Sequence, residues 1–188
     1  MSVTPNDLAH LLPVVTAIAP HSALLNGDII LKTRAHSAWG GAVTAQMYVP
    51  LTQIQVWQHL TDYSRWPQYF PDMTRSEVLQ HPAGSLKRGV KRLYQAASKA
   101  FLFFSAQVEV YLQVLETHQQ RIQFVLESGS FRDFTADVSL QACGDGTILT
   151  YSVQATPTIP VPSLLIQQAI QMDLPNNMRQ MRRVMCGR

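Results

Sequence analysis

Four stretches in the second half of the chain alternate apolar and polar residues with a period of two, and a turn separates each from the next. Val108, Val110, Leu112 and Val114 share a face in residues 106–116, as do Ile122, Phe124 and Leu126 in residues 121–127. The pattern returns with Phe134, Ala136, Val138 and Leu140, and again with Leu149, Tyr151, Val153 and Ala155. Alternation of this kind places one row of side chains on the buried face of a strand. The breaks are His118-Gln119-Gln120, Ser128-Gly129 and Gly144-Asp145-Gly146, each short enough for a hairpin. Hairpins make neighbouring strands antiparallel, and a sheet with one apolar face needs a second layer to cover it.

That layer is predicted at the end of the chain. In residues 161–185, Ile166, Ile170, Leu174, Met178, Met181 and Met185 recur in steps of three and four, one side of an α-helix. At ~1.5 Å per residue the helix would run roughly 35 Å, long enough to cross a small domain. Pro162 and Ser163 form its entry, with Ser163 the expected N-cap, and Pro175 predicts a kink or a break.

Upstream, residues 29–34 read as a strand. In residues 42–49, Val43, Ala45, Met47 and Val49 alternate with polar residues as a second strand. Pro50 ends it. Thr52 and Gln55 have capping-box spacing, Leu51 can staple against Val56, and Val56, Trp57 and Leu60 supply the buried side of a short helix. Residues 61–73 carry Tyr63, Trp66, Tyr69 and Phe70, too many aromatics for a solvated loop, while Pro67 and Pro71 forbid a long helix. A second short helical turn plugging one end of the sheet is the reading. Strands are expected at residues 76–80 and 89–98 with a turn at 81–85 between them, and residues 156–162 form a stiff proline-rich bridge to the last helix.

The expected fold class is therefore α+β: a curled antiparallel sheet wrapped on a long C-terminal helix, with two short helices closing one end. Residues 1–41 form an N-terminal extension, a short helix plus a strand, and residues 42–188 the main domain. Because sheets twist, a straight helix laid across one touches it along part of its length only. An elongated apolar cavity is what remains.

Composition narrows the class. Of 188 residues 46% are hydrophobic and 14% charged, the profile of a globular chain rather than a disordered one. The net charge of +3 is concentrated in residues 86–92 and the last helix, which fits a solvated face better than a nucleic-acid surface. Cys143 and Cys186 suggest neither a disulfide framework nor a zinc site, which fits a reducing, cytoplasmic compartment. The six histidines are scattered, so no metal is expected. Residues 8–19 are apolar and end in Ala17-Ile18-Ala19, but no Lys or Arg precedes them and Pro13 interrupts them. They read as an amphipathic helix opened by Asn6 or Asp7 rather than a signal peptide. No phosphate loop, dinucleotide fingerprint or nucleophile elbow is present, and Ser128-Gly129-Ser130 reads as a turn.

Residues 56–73, the Gly144-Asp145-Gly146-Thr147 hairpin with the strand after it, and residues 160–182 together resemble the SRPBCC (START/Bet v 1-like) superfamily. The polyketide cyclase/dehydrase and coenzyme Q-binding branches are the most similar. The resemblance spans residues 42–185 and implies a helix-grip fold. It implies a role among lipid carriers, quinone chaperones and ring-closing enzymes, and it specifies the ligand poorly.

On the residues, the cavity candidates are the inward rows and their neighbours: Val110, Leu112, Phe124, Phe134 and Tyr151 of the strands. Ile166, Ile170, Leu174 and Met178 of the helix join them. Trp57, Trp66, Tyr69 and Phe70 either line the mouth or belong to the core. Extending apolar faces along their strands also puts Arg92, Tyr94 and Arg132 inside, where a guanidinium would anchor a polar head; the competing reading is an outward salt bridge or an exposed bulge. Glu109, Asp133 and Asp137 fall on the opposite parity. The leading expectation is a carrier or chaperone, without cofactor, for a lipid, isoprenoid quinone or polyketide-like molecule. A cyclase/dehydrase on such a substrate is the alternative, and peripheral contact with an anionic membrane through Arg179, Arg182 and Arg183 is a weaker third reading.

Overall fold

A computed structural model describes residues 21–80, 89–101, 104–159 and 161–187. The expected helix at 8–19, the turn at 81–85 and the start of the basic stretch lie outside these residues. Eight strands are present among them: β1 (Ile29–Ser37), β2 (Gly40–Val49), β3 (Met73–Leu79), β4 (Val90–Phe101), β5 (Phe104–Thr117), β6 (Arg121–Gly129), β7 (Phe131–Cys143) and β8 (Gly146–Pro157). The helices are α1 (Gln53–Thr61), a 3-10 turn (Tyr63–Arg65), α2 (Trp66–Tyr69) and α3 (Ser163–Met185). A further helical stretch covers residues 21–25.

One sheet runs β1-β2-β8-β7-β6-β5-β4-β3, every neighbour antiparallel. The hairpins expected at Gln119, Gly129 and Gly144 are where it turns, each with positive φ at that residue. The non-local seam is β2 against β8, which sets Val43 opposite Val153, Ala45 opposite Tyr151 and Met47 opposite Leu149. Directly opposed residues share a face, so the apolar rows of first and last strand become one surface.

α1 begins with the capping box the sequence predicts: Gln55 N–H donates to Thr52 Oγ1 at 3.4 Å and Thr52 N–H to Gln55 Oε1 at 3.0 Å. Gln53 then ties the helix to the β5–β6 turn, its Nε2 donating to the Gln119 carbonyl at 2.6 Å. α3 departs from expectation at its start: its N-cap is Pro162 and not Ser163, with no side-chain cap. Of the kink or break expected at Pro175, the break does not occur, and the helix continues through it. The carbonyl that Pro175 cannot serve belongs to Gln171, an exposed residue that water can reach, while Leu174 and Met178 on either side are buried. α3 packs chiefly against β1, β2 and α2, on one side of the curl.

Candidate functional site

The inner face of the sheet is filled at one end and open at the other. Towards α1 and α2, Leu93, Leu112, Val114, Ile122, Val138 and Leu149 are at most 1% exposed. Further along the same inward rows Phe134, Val153, Ala155, Leu126 and Ala97 are only half-buried, as are Phe70 and Met73 entering β3. α3 repeats the gradient. Leu174, Met178, Met181 and Met185 are buried in the core, whereas Ile166 is half-buried and Leu164 is 64% exposed. Apolar side chains that point inward yet keep accessible surface are not closed over by packing at this end.

Tyr151 marks how far along the sheet this accessible surface reaches. It stands mid-strand on β8 between Ala45 of β2 and Val138 of β7, both almost fully buried. Burial pushes its phenol up to about 12. The residue nevertheless keeps accessible surface. Its hydroxyl forms no hydrogen bond among the described residues, and no fully enclosed side-chain polar atom there lacks a partner. The hydroxyl is therefore neither bonded to another described side chain nor sealed off by the protein. The Phe70 ring lies 6.1 Å away between centroids.

Of the cavity residues expected from sequence, Phe70, Phe134, Tyr151 and Ile166 are half-buried, while Val110, Leu112, Phe124, Leu174 and Met178 are buried in the core. The Ile170 side chain lies outside the described residues. Trp57, Trp66 and Tyr69 are core: Trp66 Nε1 donates to the Leu60 carbonyl at 2.9 Å and the Tyr69 hydroxyl to that of His59 at 3.0 Å. Trp57 meets His118 edge-on.

Three expectations are corrected. Arg92 and Tyr94 lie on the outer face, because the inward row of β4 is Lys91, Leu93, Gln95 and Ala97, opposite Val114, Leu112, Val110 and Val108. Arg92 pairs with Glu127 at 2.6 Å and covers the Tyr111 ring, and the Tyr94 ring packs at a tilt against Tyr111 beneath Arg75. Arg132 is exposed, because the pairing of β7 with β8 shifts register between Phe131 and Asp133 and turns it outward.

The β4 register instead brings in polar groups that sequence reasoning missed. Gln95 and Ser76 are both buried and bonded to each other at 3.2 Å. At the closed end Glu116 Oε1 accepts from the Tyr63 hydroxyl at 2.5 Å and from Lys91 Nζ at 2.7 Å. Thr33 accepts from Gln171 Nε2 at 3.2 Å. The signal was Leu93, whose complete burial decides the parity of the whole strand.

A groove of about 310 Å³ lies on the opposite, outer face, where Thr44 is paired with Ser152, Arg34 with Gln154 and Arg121 with Asp137. Among the described residues no group of three His, Cys, Asp or Glu side chains could hold a metal, and no helix is long and apolar enough to cross a membrane.

A curled, unclosed antiparallel sheet gripping one long helix around an apolar interior is the helix-grip fold of START/Bet v 1-like proteins. Residues 49–182 match the family described as polyketide cyclase / dehydrase and lipid transport, and the chain belongs to that family. A STAR-related lipid transfer protein from Xanthomonas axonopodis superposes with a TM-score of 0.63 at 16% identity, over 84% of this chain and 93% of that one. Human STARD10 gives 0.62 at 11% identity, covering 83% and 73%. The Zhui aromatase/cyclase from Streptomyces sp. R1128 gives 0.61 at 9% identity, covering 82% and 94%. These likenesses establish the fold. A search among curated proteins returned no match. Polyketides and lipids are both largely apolar, so binding of a hydrophobic small molecule is what membership of this family carries.

Proposed function

We propose that the protein is a carrier or chaperone that holds one hydrophobic small molecule between α3 and the open half of the sheet. The observation that carries this reading is the half-buried inward row of Phe134, Tyr151, Val153 and Ala155, beside fully buried neighbours on the same strands. Covering such a surface with an apolar guest is worth ~25 cal/mol per Å² removed from water, ample for tight binding without any charged contact.

A cyclase or dehydrase needs a positioned acid or base in the same space, with a pKa near the operating pH. Among the described residues Tyr151 has no base beside it, and Glu116 is engaged by Tyr63 and Lys91 at the sealed end. A phenol that burial pushes up to about 12 holds its proton at neutral pH and orients a guest rather than trading protons with it, which favours the carrier. Native mass spectrometry of the purified protein, followed by organic extraction, tests this: a co-purified apolar molecule at one per chain supports it. A protein that stays empty after exposure to lipid and quinone extracts contradicts it.

A further inference from the structure

The Tyr151 hydroxyl carries a second inference, about what kind of molecule the interior takes; it rests on the carrier reading. The polar groups on the inward face can be followed strand by strand. Thr33 of β1 is bonded to Gln171 of α3, Gln95 of β4 to Ser76 of β3, and Lys91 of β4 to Glu116 of β5, which also accepts from the Tyr63 hydroxyl. β2, β6 and β7 contribute only apolar side chains to it. Lys99 shares the inward register beyond Ala97, towards the rim, and its side chain lies outside the described residues. Thr147 of β8 donates to the Leu51 carbonyl, which leaves the Tyr151 oxygen as the one inward polar atom of the sheet, among those described, without a partner in the protein.

We propose that this hydroxyl is the orienting contact for the ligand, and that the ligand is a neutral apolar molecule with a hydrogen-bonding oxygen, such as a ketone, quinone or alcohol. Two physical facts set the class. The phenol is protonated at every physiological pH, so it offers a donor to an oxygen lone pair. The deep half of the space presents no unpaired cation among the described residues, so a carboxylate or phosphate there keeps its desolvation penalty. Phe70, whose ring is 6.1 Å from that of Tyr151, adds a face against which a flat carbonyl compound can lie. The selectivity follows from an unmade bond: a guest lacking the oxygen leaves the hydroxyl unsatisfied in an apolar enclosure, and a guest carrying it does not.

The test uses three probes of one shape, acetylnaphthalene, ethylnaphthalene and naphthoate, titrated into wild-type protein and Tyr151→Phe at neutral pH. In the wild type the ketone binds about five-fold or more tightly than the hydrocarbon, the worth of one buried hydrogen bond, and more tightly than the anion. In Tyr151→Phe the ketone-to-hydrocarbon ratio falls to near one. A ratio unchanged by the substitution, or naphthoate binding more tightly than the ketone, overturns the proposal and leaves the carrier intact. Wild type that binds none of the three overturns the carrier reading itself. Thermal melting supplies an independent readout. Losing an unpartnered hydroxyl leaves the melting temperature unchanged or raised, whereas a clear drop shows that the oxygen is tied to the protein and is not available to a guest.

Discussion

The Tyr63 hydroxyl donates to Glu116 Oε1 at 2.5 Å across the sealed end of the sheet, and Lys91 reaches the same oxygen from the neighbouring strand. The 3-10 turn is thereby fastened to β5 and β4 by a carboxylate that is mostly withdrawn from water. Tyr63→Phe removes one donor from that charge. The expected cost is about 2 kcal/mol, the usual worth of a hydrogen bond to a charged acceptor, read as a lower urea midpoint at unchanged slope.

Tyrosine titration shapes the alkaline limb of stability. Burial, then Glu116, holds the Tyr63 phenol well above its ordinary value, and burial raises Tyr69 and Tyr151 as well. A folded-state pKa above the unfolded value of about 10 means the stabilisation is complete below that pH and is lost as pH climbs past it. Denaturation midpoints should fall progressively above pH about 10, and the combined Phe variant at these three positions should flatten the slope.

His59 governs a smaller effect on the acid side. Burial and then the Arg65 guanidinium, which sits 3.3 Å from His59 Nδ1, lower its pKa against a weaker opposing pull from Asp62. Stability from this group is present above the unfolded value of about 6.5 and is lost as pH falls through the depressed folded value. Urea midpoints of wild type should drop between neutral pH and pH about 5 more steeply than those of His59→Gln.

Arg182 is committed within the fold. Its guanidinium donates to the Gly27 carbonyl at 2.9 Å and to the Tyr48 carbonyl at 3.4 Å, clamping the segment before β1 onto α3. Arg182→Ala should cost about 2 kcal/mol and speed proteolysis near residue 27. Arg179 reaches Asn176 on the surface, and Arg179→Ala should stay within about 0.5 kcal/mol of wild type.

Gly129 cannot accept a side chain. Its φ is 138°, and an added Cβ would stand 2.2 Å from the Glu109 carbonyl oxygen. Gly129→Ala should lose more than about 3 kcal/mol or fail to fold, seen by circular dichroism, because the β5–β6 bulge has no room to relax.

Much of this architecture was legible because period-two rows such as Leu149, Tyr151 and Val153 allow only one buried face, and the Thr52–Gln55 capping box is a local signal. What was not legible depends on register. In β4 both parities carry apolar and charged residues, Val90 and Tyr94 with Arg92 on one side, Leu93 and Ala97 with Lys91 on the other. Only pairing with Leu112 decides between them. Arg132 is misplaced from sequence for a related reason, since one extra residue in β7 reverses the parity that Phe134 announces. The β2–β8 seam joins strands about a hundred residues apart, which no local pattern encodes. The division of the inward rows into a packed floor and an open half is a three-dimensional property: Phe124 and Phe134 are both inward phenylalanines, and only the first is fully covered.

In a carrier of this design, the inward surface around Val153 bounds a space that an apolar guest fills. The direct measurement is a fluorescence titration with N-phenyl-1-naphthylamine, comparing wild type with Val153→Trp, whose indole would occupy that space, after circular dichroism has shown both folded. Saturable enhancement at one probe per chain in wild type, weakened at least about ten-fold in the variant, is the predicted result. No binding to the wild type, or equal binding to both, would contradict the account.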